Sequence, residues 1–122
     1  MFNGASLIAQ AGALGVLTEE GQEQCQRIID FYMANAGIIK RGIGKIGLAV
    51  FGGEQAPYVW TQNPDKMESW EFFDKLLKEC HVVCTPGGGF GPCGDRYARF
   101  SAFGSRETIE RAIESIQNNL RL

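Results

Sequence analysis

The sequence predicts an α+β fold in which a small sheet is covered by helices. Apolar residues recur at helical spacing through the amino-terminal third of the chain. Short segments rich in β-forming residues and divided by glycine turns follow, and helical spacing returns in the middle of the chain and at its carboxyl end. The 122 residues suffice for one domain, so 1–122 is taken as a single domain.

Two helices are predicted at the amino end. The segment "ASLIAQAGALGVL" has apolar and small residues at helical spacing and carries no charge. The longer segment "TEEGQEQCQRIIDFYMANAGIIKRGI" is amphipathic, and Thr18 stands in the N-cap position before two acids. The uncharged first helix has no evident partner within the chain, which favours docking onto another domain or subunit.

Strands and helices alternate in the rest of the chain. The segments "LAVFGG" and "APYVWTQ" read as strands, and "SWEFFDKLLKEC" reads as a helix with Trp70, Phe73, Leu76 and Leu77 facing inward. The segments "HVVCTP" and "RYARFSAF" are predicted strands on either side of a glycine loop. Ser105 is predicted to cap a final helix, "RETIERAIESIQNNL". The sheet would therefore have about four strands.

Charge and hydropathy exclude two classes of partner. The net charge is -2, and the 12 basic residues are scattered among 14 acids, so no basic stripe for nucleic acid exists. No stretch approaches the ~20 apolar residues that a membrane-spanning helix needs. The first 18 residues are uncharged, but polar and glycine residues interrupt them and no basic segment precedes them, which disfavours a secretory signal.

The cysteines and the single histidine do not predict a metal site. Cys80, His81 and Cys84 lie close in sequence, but a strand over "HVVCTP" would place the two cysteines roughly 13 Å apart. Zinc–sulfur bonds of ~2.3 Å cannot bridge that gap. We therefore interpret the four cysteines as reduced thiols and His81 as a packed or surface side chain.

A glycine-rich stretch, "TPGGGFGPCGDRYARFSAFG", holds six of the 16 glycines. Residues 89–94 match G-x-G-x-x-G, but a dinucleotide-binding turn must open a helix, and a strand is predicted after Asp95. Pro92 also lacks the amide that could bind a phosphate. Two interpretations stay open: a backbone loop that approaches a ligand closely, and a long surface turn.

Arg99 follows this stretch in a predicted strand. Alternation places Tyr97, Arg99, Ser101 and Phe103 on one face. A guanidinium beside aromatic rings is partly desolvated and needs an anion, and its planar fork suits a carboxylate. The partner is either a ligand carboxylate or an acid within the chain such as Asp95 or Glu54.

Four blocks in this order resemble the carboxy-terminal part of LL-diaminopimelate aminotransferase, a pyridoxal-phosphate aminotransferase of fold type I. They are "FNGAS" at 2–6, "GGEQAPYVW" at 52–60, "HVVCTPGGGFGP" at 81–92 and "RFSAFGSRE" at 99–107. The resemblance covers the chain from end to end. It implies the small domain of that fold, with a mainly antiparallel sheet, and a dimer.

The resemblance also implies roles for individual residues. The arginine of its "R-x-S-A-F-G" block binds the substrate α-carboxylate, and Arg99 occupies that position. The asparagine of "F-N-G-A-S" reaches the active site of the partner subunit, and Asn3 matches it. The glycine loop lies near the substrate; its members here are Gly87, Gly88, Gly89, Phe90 and Gly91. The family usually has serine at Gly88, glycine at Arg96 and histidine at Ser105, and the charge of Arg96 puts the exact substrate in doubt.

The catalytic part of such an enzyme is not found in these residues. The family holds its cofactor on a lysine in the large domain, and none of the five lysines here lies in a Schiff-base motif. We therefore assign no catalytic residue and expect no tight binding of pyridoxal phosphate by this chain alone. The expected partners are a substrate carboxylate and the large domain or second subunit of an aminotransferase.

Two hypotheses of function remain. In the first, the chain is part of an enzyme that transfers the amino group between LL-2,6-diaminopimelate and 2-oxoglutarate in lysine biosynthesis, and it is inactive alone. In the second, it is a free-standing module that binds an amino-acid carboxylate or pairs with a full-length subunit. The resemblance implies a cytoplasmic protein, or a plastid one in a photosynthetic eukaryote.

Overall fold

The computed structural model describes residues 4–122, which form two compact units, one ending at Phe31 and the other spanning Tyr32–Leu122. Helix α2 contributes to both units. Asn3 lies outside the described residues, so its predicted role stays a prediction. The elements are α1 (Leu7–Val16), α2 (Glu19–Lys45), β1 (Val50–Gly52), β2 (Tyr58–Gln62), α3 (Ser69–Cys80), β3 (Thr85–Pro86), β4 (Tyr97–Ser101) and α4 (Arg106–Asn119).

The first unit contains α1 and the beginning of α2. The Ser6 hydroxyl caps α1 by accepting a hydrogen bond from the Ala9 amide, and the Thr18 hydroxyl caps α2 by accepting from the Gly21 amide. The predicted N-cap at Thr18 is thus confirmed. No residue of α1 is buried, and the side chains of Leu7 and Ile8 are more than four-fifths exposed.

The second unit is built on a four-stranded antiparallel sheet in the order β1-β2-β4-β3. The register places Trp60 of β2 opposite Arg99 of β4, and Thr85 of β3 lies on the other side of Arg99. This arrangement confirms the predicted α+β class and the number of strands. Arg99 therefore lies on an inner strand.

One face of the sheet packs against the helices. Val59, Thr61, Ala98 and Phe100 alternate with the residues of the open face and are buried. The side-chain amide of Asn35 on α2 donates hydrogen bonds of 3.1 and 3.0 Å to the carbonyls of Ala102 and Gly104. The helices contribute the remaining core residues, which are Ala36, Ile39, Ile43, Phe72, Leu76, Cys80, Ile109, Ile113 and Ile116.

Gly42 lets α2 approach α4 closely. An added Cβ at Gly42 would overlap the Ile113 side chain, whereas one at Gly44 on the same helix would meet nothing. We expect Gly42→Ala to lower the free energy of unfolding by about 1–2 kcal/mol through overpacking. Gly44→Ala should raise it by up to about 1 kcal/mol, because alanine favours the helix. Urea denaturation of both variants tests this, and equal effects would contradict the close approach.

Two predictions about the middle of the chain are wrong in detail. The strand predicted over "HVVCTP" is reduced to Thr85–Pro86. His81 adopts the left-handed conformation (φ 56) that ends α3, and the Val82 amide donates back to the Leu76 carbonyl, so it cannot join a strand ladder. On α3, Trp70 and Leu77 are exposed, and the buried aromatic residue is Phe72.

The argument from distance against a zinc site assumed a strand between Cys80 and Cys84. The structure has no such strand, since Cys80 lies at the end of α3 and Cys84 in irregular chain. Within residues 4–122, no group of three or more histidine, cysteine or acidic side chains could hold a metal ion. All four cysteines are free thiols. Among the described helices, none has the length and apolar character that crossing a bilayer requires.

Burial makes Cys84 unreactive while the chain is folded. It raises the pKa of the Cys84 thiol to about 11, whereas Cys93 is exposed. At pH 8 we expect iodoacetamide to modify Cys93 quickly and Cys84 only after denaturation, as mass spectrometry of peptides would report. The pKa of Cys84 is higher in the folded chain than in the unfolded chain. The free energy of unfolding therefore keeps its full value, as far as this thiol is concerned, below pH 9 and falls as the pH rises from about 9 to 11. Equal labelling of both thiols would contradict the burial.

Candidate carboxylate-binding site

The open face of the sheet carries a layer of aromatic side chains around Arg99. Strand alternation and the register bring Phe51, Tyr58, Trp60 and Tyr97 to this face together with Arg99. Edge-to-face contacts link the rings. The ring centroids are separated by 6.2 Å for Phe51–Tyr97, 5.6 Å for Tyr58–Phe103, 5.3 Å for Trp60–Phe90 and 4.8 Å for Tyr32–Phe103.

Two of these rings hold the guanidinium of Arg99. Its central carbon lies 4.4 Å from the centroid of Tyr58 and 4.4 Å from that of Phe90. Cation–π contacts of this kind stabilise a guanidinium and limit its water. The Nε atom is buried and has no hydrogen-bond partner among residues 4–122. Arg99 is thus a partly desolvated cation with an unmet requirement for an anion.

The two acids considered as internal partners are engaged elsewhere. Glu54 pairs with Lys40, and the hydrogen bond from Lys40, with its charge, lowers the pKa of the Glu54 carboxyl. Asp95 accepts a hydrogen bond from the Ser69 hydroxyl at 3.0 Å. Among the ion pairs of residues 4–122, none includes Arg99. The geometry therefore leaves the anion to come from outside the described chain.

The glycine loop begins beside Arg99, directly after β3. Gly87, Gly88, Gly89 and Phe90 form a single 3-10 turn, and Gly91 ends it. A Cβ on Gly87 would overlap the carbonyl oxygen of Gly94, so the two ends of the loop touch through their backbones. The loop is compact, and it carries Phe90 to the guanidinium. A second 3-10 turn, Pro92–Gly94, completes the loop, and β4 follows it, as predicted.

Sequence reasoning missed three residues that shape this site. Tyr58 and Trp60 alternate on β2, so a signal for their shared face was present, but their position beside Arg99 depends on strand pairing. Ser69 is fully buried at the first turn of α3, and it contacts the glycine loop. Nothing in the spacing of the sequence links Ser69 to Gly88, which lies 19 residues further along the chain.

Comparison with known proteins decides the family. Residues 1–116 match the family described as aminotransferase class I and II.

The chain belongs to the class I and II aminotransferases.

Solved structures of this family superpose on the chain. LL-diaminopimelate aminotransferase from Chlamydomonas reinhardtii is 46% identical over 95% of the chain, with a TM-score of 0.90. A Methanococcus jannaschii protein, described as similar in its active site to kynurenine aminotransferases, is 31% identical over 96% of the chain, with a TM-score of 0.86. An aromatic aminotransferase from Pyrococcus horikoshii is 25% identical over 88%, with a TM-score of 0.81.

The chain spans only a part of these aminotransferases. It covers 28% of the Chlamydomonas enzyme, 31% of the Methanococcus protein and 29% of the Pyrococcus enzyme. The first of these superpositions confirms the resemblance seen in the sequence and the α+β fold of an aminotransferase carboxy-terminal domain.

The lysines present do not fit the pyridoxal phosphate that this family uses. Lys45, Lys66 and Lys78 are exposed, and Lys40 and Lys75 are ion-paired with Glu54 and Glu79. A Schiff-base lysine needs a sheltered amine that is free to react, and each of these five amines is exposed or ion-paired. The five lysines therefore offer no amine suited to the cofactor aldehyde.

Proposed function

We propose that this chain is the carboxy-terminal, substrate-carboxylate-binding part of a pyridoxal-phosphate aminotransferase, inactive by itself. The observation that carries the proposal is Arg99, held between Tyr58 and Phe90 with no acid of residues 4–122 paired to it. In the complete enzyme Arg99 holds the α-carboxylate and so fixes the orientation of the amino acid. The large domain supplies the lysine and the other cofactor-binding groups.

The substrate pair we propose is LL-2,6-diaminopimelate and 2-oxoglutarate. The 46% identity to the Chlamydomonas enzyme supports this choice over an aromatic amino acid. Both substrates carry a carboxylate beside the reacting carbon, which a planar guanidinium fork can bind through two hydrogen bonds. The enzyme would serve lysine biosynthesis in the cytoplasm, or in the plastid of a photosynthetic eukaryote.

The proposed partner is the large domain or a second subunit. The apolar side chains of Leu7, Ile8, Leu14 and Leu17 on and beside α1 are each more than two-thirds exposed. Burying them would stabilise an assembly, at roughly 25 cal/mol for each Å² of apolar surface removed from water. Asn3, next to this helix in sequence, is proposed to reach the active site of the partner subunit.

The second candidate function is a free-standing carboxylate-binding module. Calorimetric titration of the 122-residue chain with diaminopimelate, lysine and 2-oxoglutarate, repeated on Arg99→Ala, separates the two. Binding that disappears in Arg99→Ala favours the module. Absence of binding, together with no transamination above the rate of free pyridoxal phosphate, favours a part of a larger enzyme. Measurable transamination by the chain alone would contradict the main proposal.

A further inference from the structure

The Ser69 hydroxyl connects α3 to the glycine loop. It accepts a hydrogen bond of 3.1 Å from the Gly88 amide and donates one of 3.0 Å to Oδ1 of Asp95. Ser69 is fully buried, so both bonds form away from bulk water, where an unmet polar group is costly. The hydroxyl thus joins both ends of the loop, since Gly88 is its second residue and Asp95 follows its last turn.

The position of Gly88 against this hydroxyl is close. A Cβ added at Gly88 would lie 2.8 Å from the Ser69 oxygen and 3.0 Å from the Asp95 carboxylate. Real Cβ atoms essentially never approach another atom to 2.8 Å, so a side chain here would displace either the Ser69 hydroxyl or the loop. Glycine at position 88 therefore lets Ser69, a residue of another element, hold the turn.

The same turn positions Phe90. The Gly91 amide donates to the Gly88 carbonyl at 3.1 Å, which closes the turn around Phe90. The Phe90 side chain is about half exposed, so few contacts fix it besides the Arg99 guanidinium and the edge of Trp60. A shift of the Gly88 backbone would move the ring from the guanidinium.

We propose that Ser69 and Asp95 are positioning residues that hold the 87–90 turn so that Phe90 covers Arg99, and that they thereby set the affinity of the carboxylate site. The effect on carboxylate affinity rests on the proposed function of Arg99, whereas the position of Phe90 over Arg99 is independent of it. The hydrogen bonds of the Ser69 hydroxyl go to the Gly88 amide and to Asp95, so Ser69 acts on Arg99 through the backbone of the turn.

Nuclear magnetic resonance of the ¹⁵N-labelled chain tests the position. The two ring centroids lie 4.4 Å from the Arg99 central carbon, so we expect ring currents to shift the Nε–H proton and its burial to slow exchange with water. Phe90→Leu gives the value that remains with the Tyr58 ring alone. We expect Ser69→Ala to approach that value and to speed exchange of the Gly88 amide about tenfold.

Two variants separate positioning from general loss of stability. Asp95→Asn keeps an oxygen that accepts from Ser69, so it should retain the wild-type shift. Ser115→Ala removes another partly buried hydroxyl, which donates to the Cys80 carbonyl at 2.7 Å, and should destabilise the chain without moving the Arg99 signal. An unchanged Arg99 signal in folded Ser69→Ala overturns the proposal. If Ser69→Ala does not fold, the Arg99 signal of Asp95→Ala is measured instead, and an unchanged signal overturns the proposal.

Titration with 2-oxoglutarate tests the effect on affinity. Wherever the carboxylate binds, in the chain alone or in the larger enzyme proposed above, we expect Ser69→Ala to weaken binding about fivefold, corresponding to one hydrogen bond, and Asp95→Asn and Ser115→Ala to weaken it less than about twofold. If the wild-type chain binds no carboxylate, the same titration is made on the native gene product, with its Michaelis constant as the readout. If Ser69→Ala loses the shift of the Arg99 signal but binds 2-oxoglutarate as tightly as the wild type, Ser69 does not set the affinity, and the proposed function of Arg99 is unaffected.

Discussion

Replacing Arg99 by alanine should lower kcat/KM for amino transfer by at least about a hundredfold, or roughly 3 kcal/mol, when it is made in the complete aminotransferase proposed above. Under that proposal the variant would lose two charge-assisted hydrogen bonds to the substrate carboxylate. It also leaves Tyr58 and Phe90 without the cation between them. Steady-state kinetics with varied diaminopimelate measures the effect, which should appear mainly in the Michaelis constant.

Two further variants make this result specific. Arg99→Lys keeps the charge without the planar fork, so its loss should be intermediate. Arg111→Ala removes an exposed arginine of α4 and should change kcat/KM less than about twofold. If Arg111→Ala and Arg99→Ala had equal effects, the assignment of the carboxylate site to Arg99 would fail.

Replacing Phe72 by alanine should lower the free energy of unfolding by about 3–5 kcal/mol. Phe72 is fully buried on α3, so its removal leaves a cavity beneath the sheet. Trp70→Ala is the matched control, since Trp70 is 63% exposed on the same helix. It should cost less than about 1 kcal/mol. Urea denaturation measures both, and a larger effect for Trp70→Ala would contradict the packing of α3.

The error on α3 shows a limit of periodicity. The bounds 69–80 were predicted correctly, but two stripes at helical spacing compete there. Phe72, Leu76 and Cys80 form the buried stripe, and the other stripe contains the exposed Trp70 and Leu77 and the half-buried Phe73. Both satisfy helical spacing, and only the position of the sheet decides between them. The exposed Trp70 contacts the half-buried Phe73, with ring centroids 5.7 Å apart, at the edge of the core.

The candidate site, like α3, could be predicted from the sequence only in part. Alternation within β4 predicts which face Arg99 occupies, because it depends on neighbouring residues alone. The pairing of Trp60 with Arg99, the ring of Phe90 over the guanidinium and the bond from Gly88 to Ser69 join residues 9 to 39 positions apart. Such contacts arise from tertiary structure, which local spacing does not encode. The resemblance identified Arg99, but the geometry shows what surrounds it.

The intact mass of the native gene product in its source cell tests the central claim most directly. The chain itself has a mass of 13.4 kDa and spans 28% of the Chlamydomonas aminotransferase. If it is part of such an enzyme, the product should be several-fold heavier and should transfer amino groups in an Arg99-dependent manner. A native product of 13.4 kDa would contradict that claim and would leave a small protein that binds a carboxylate without the cofactor.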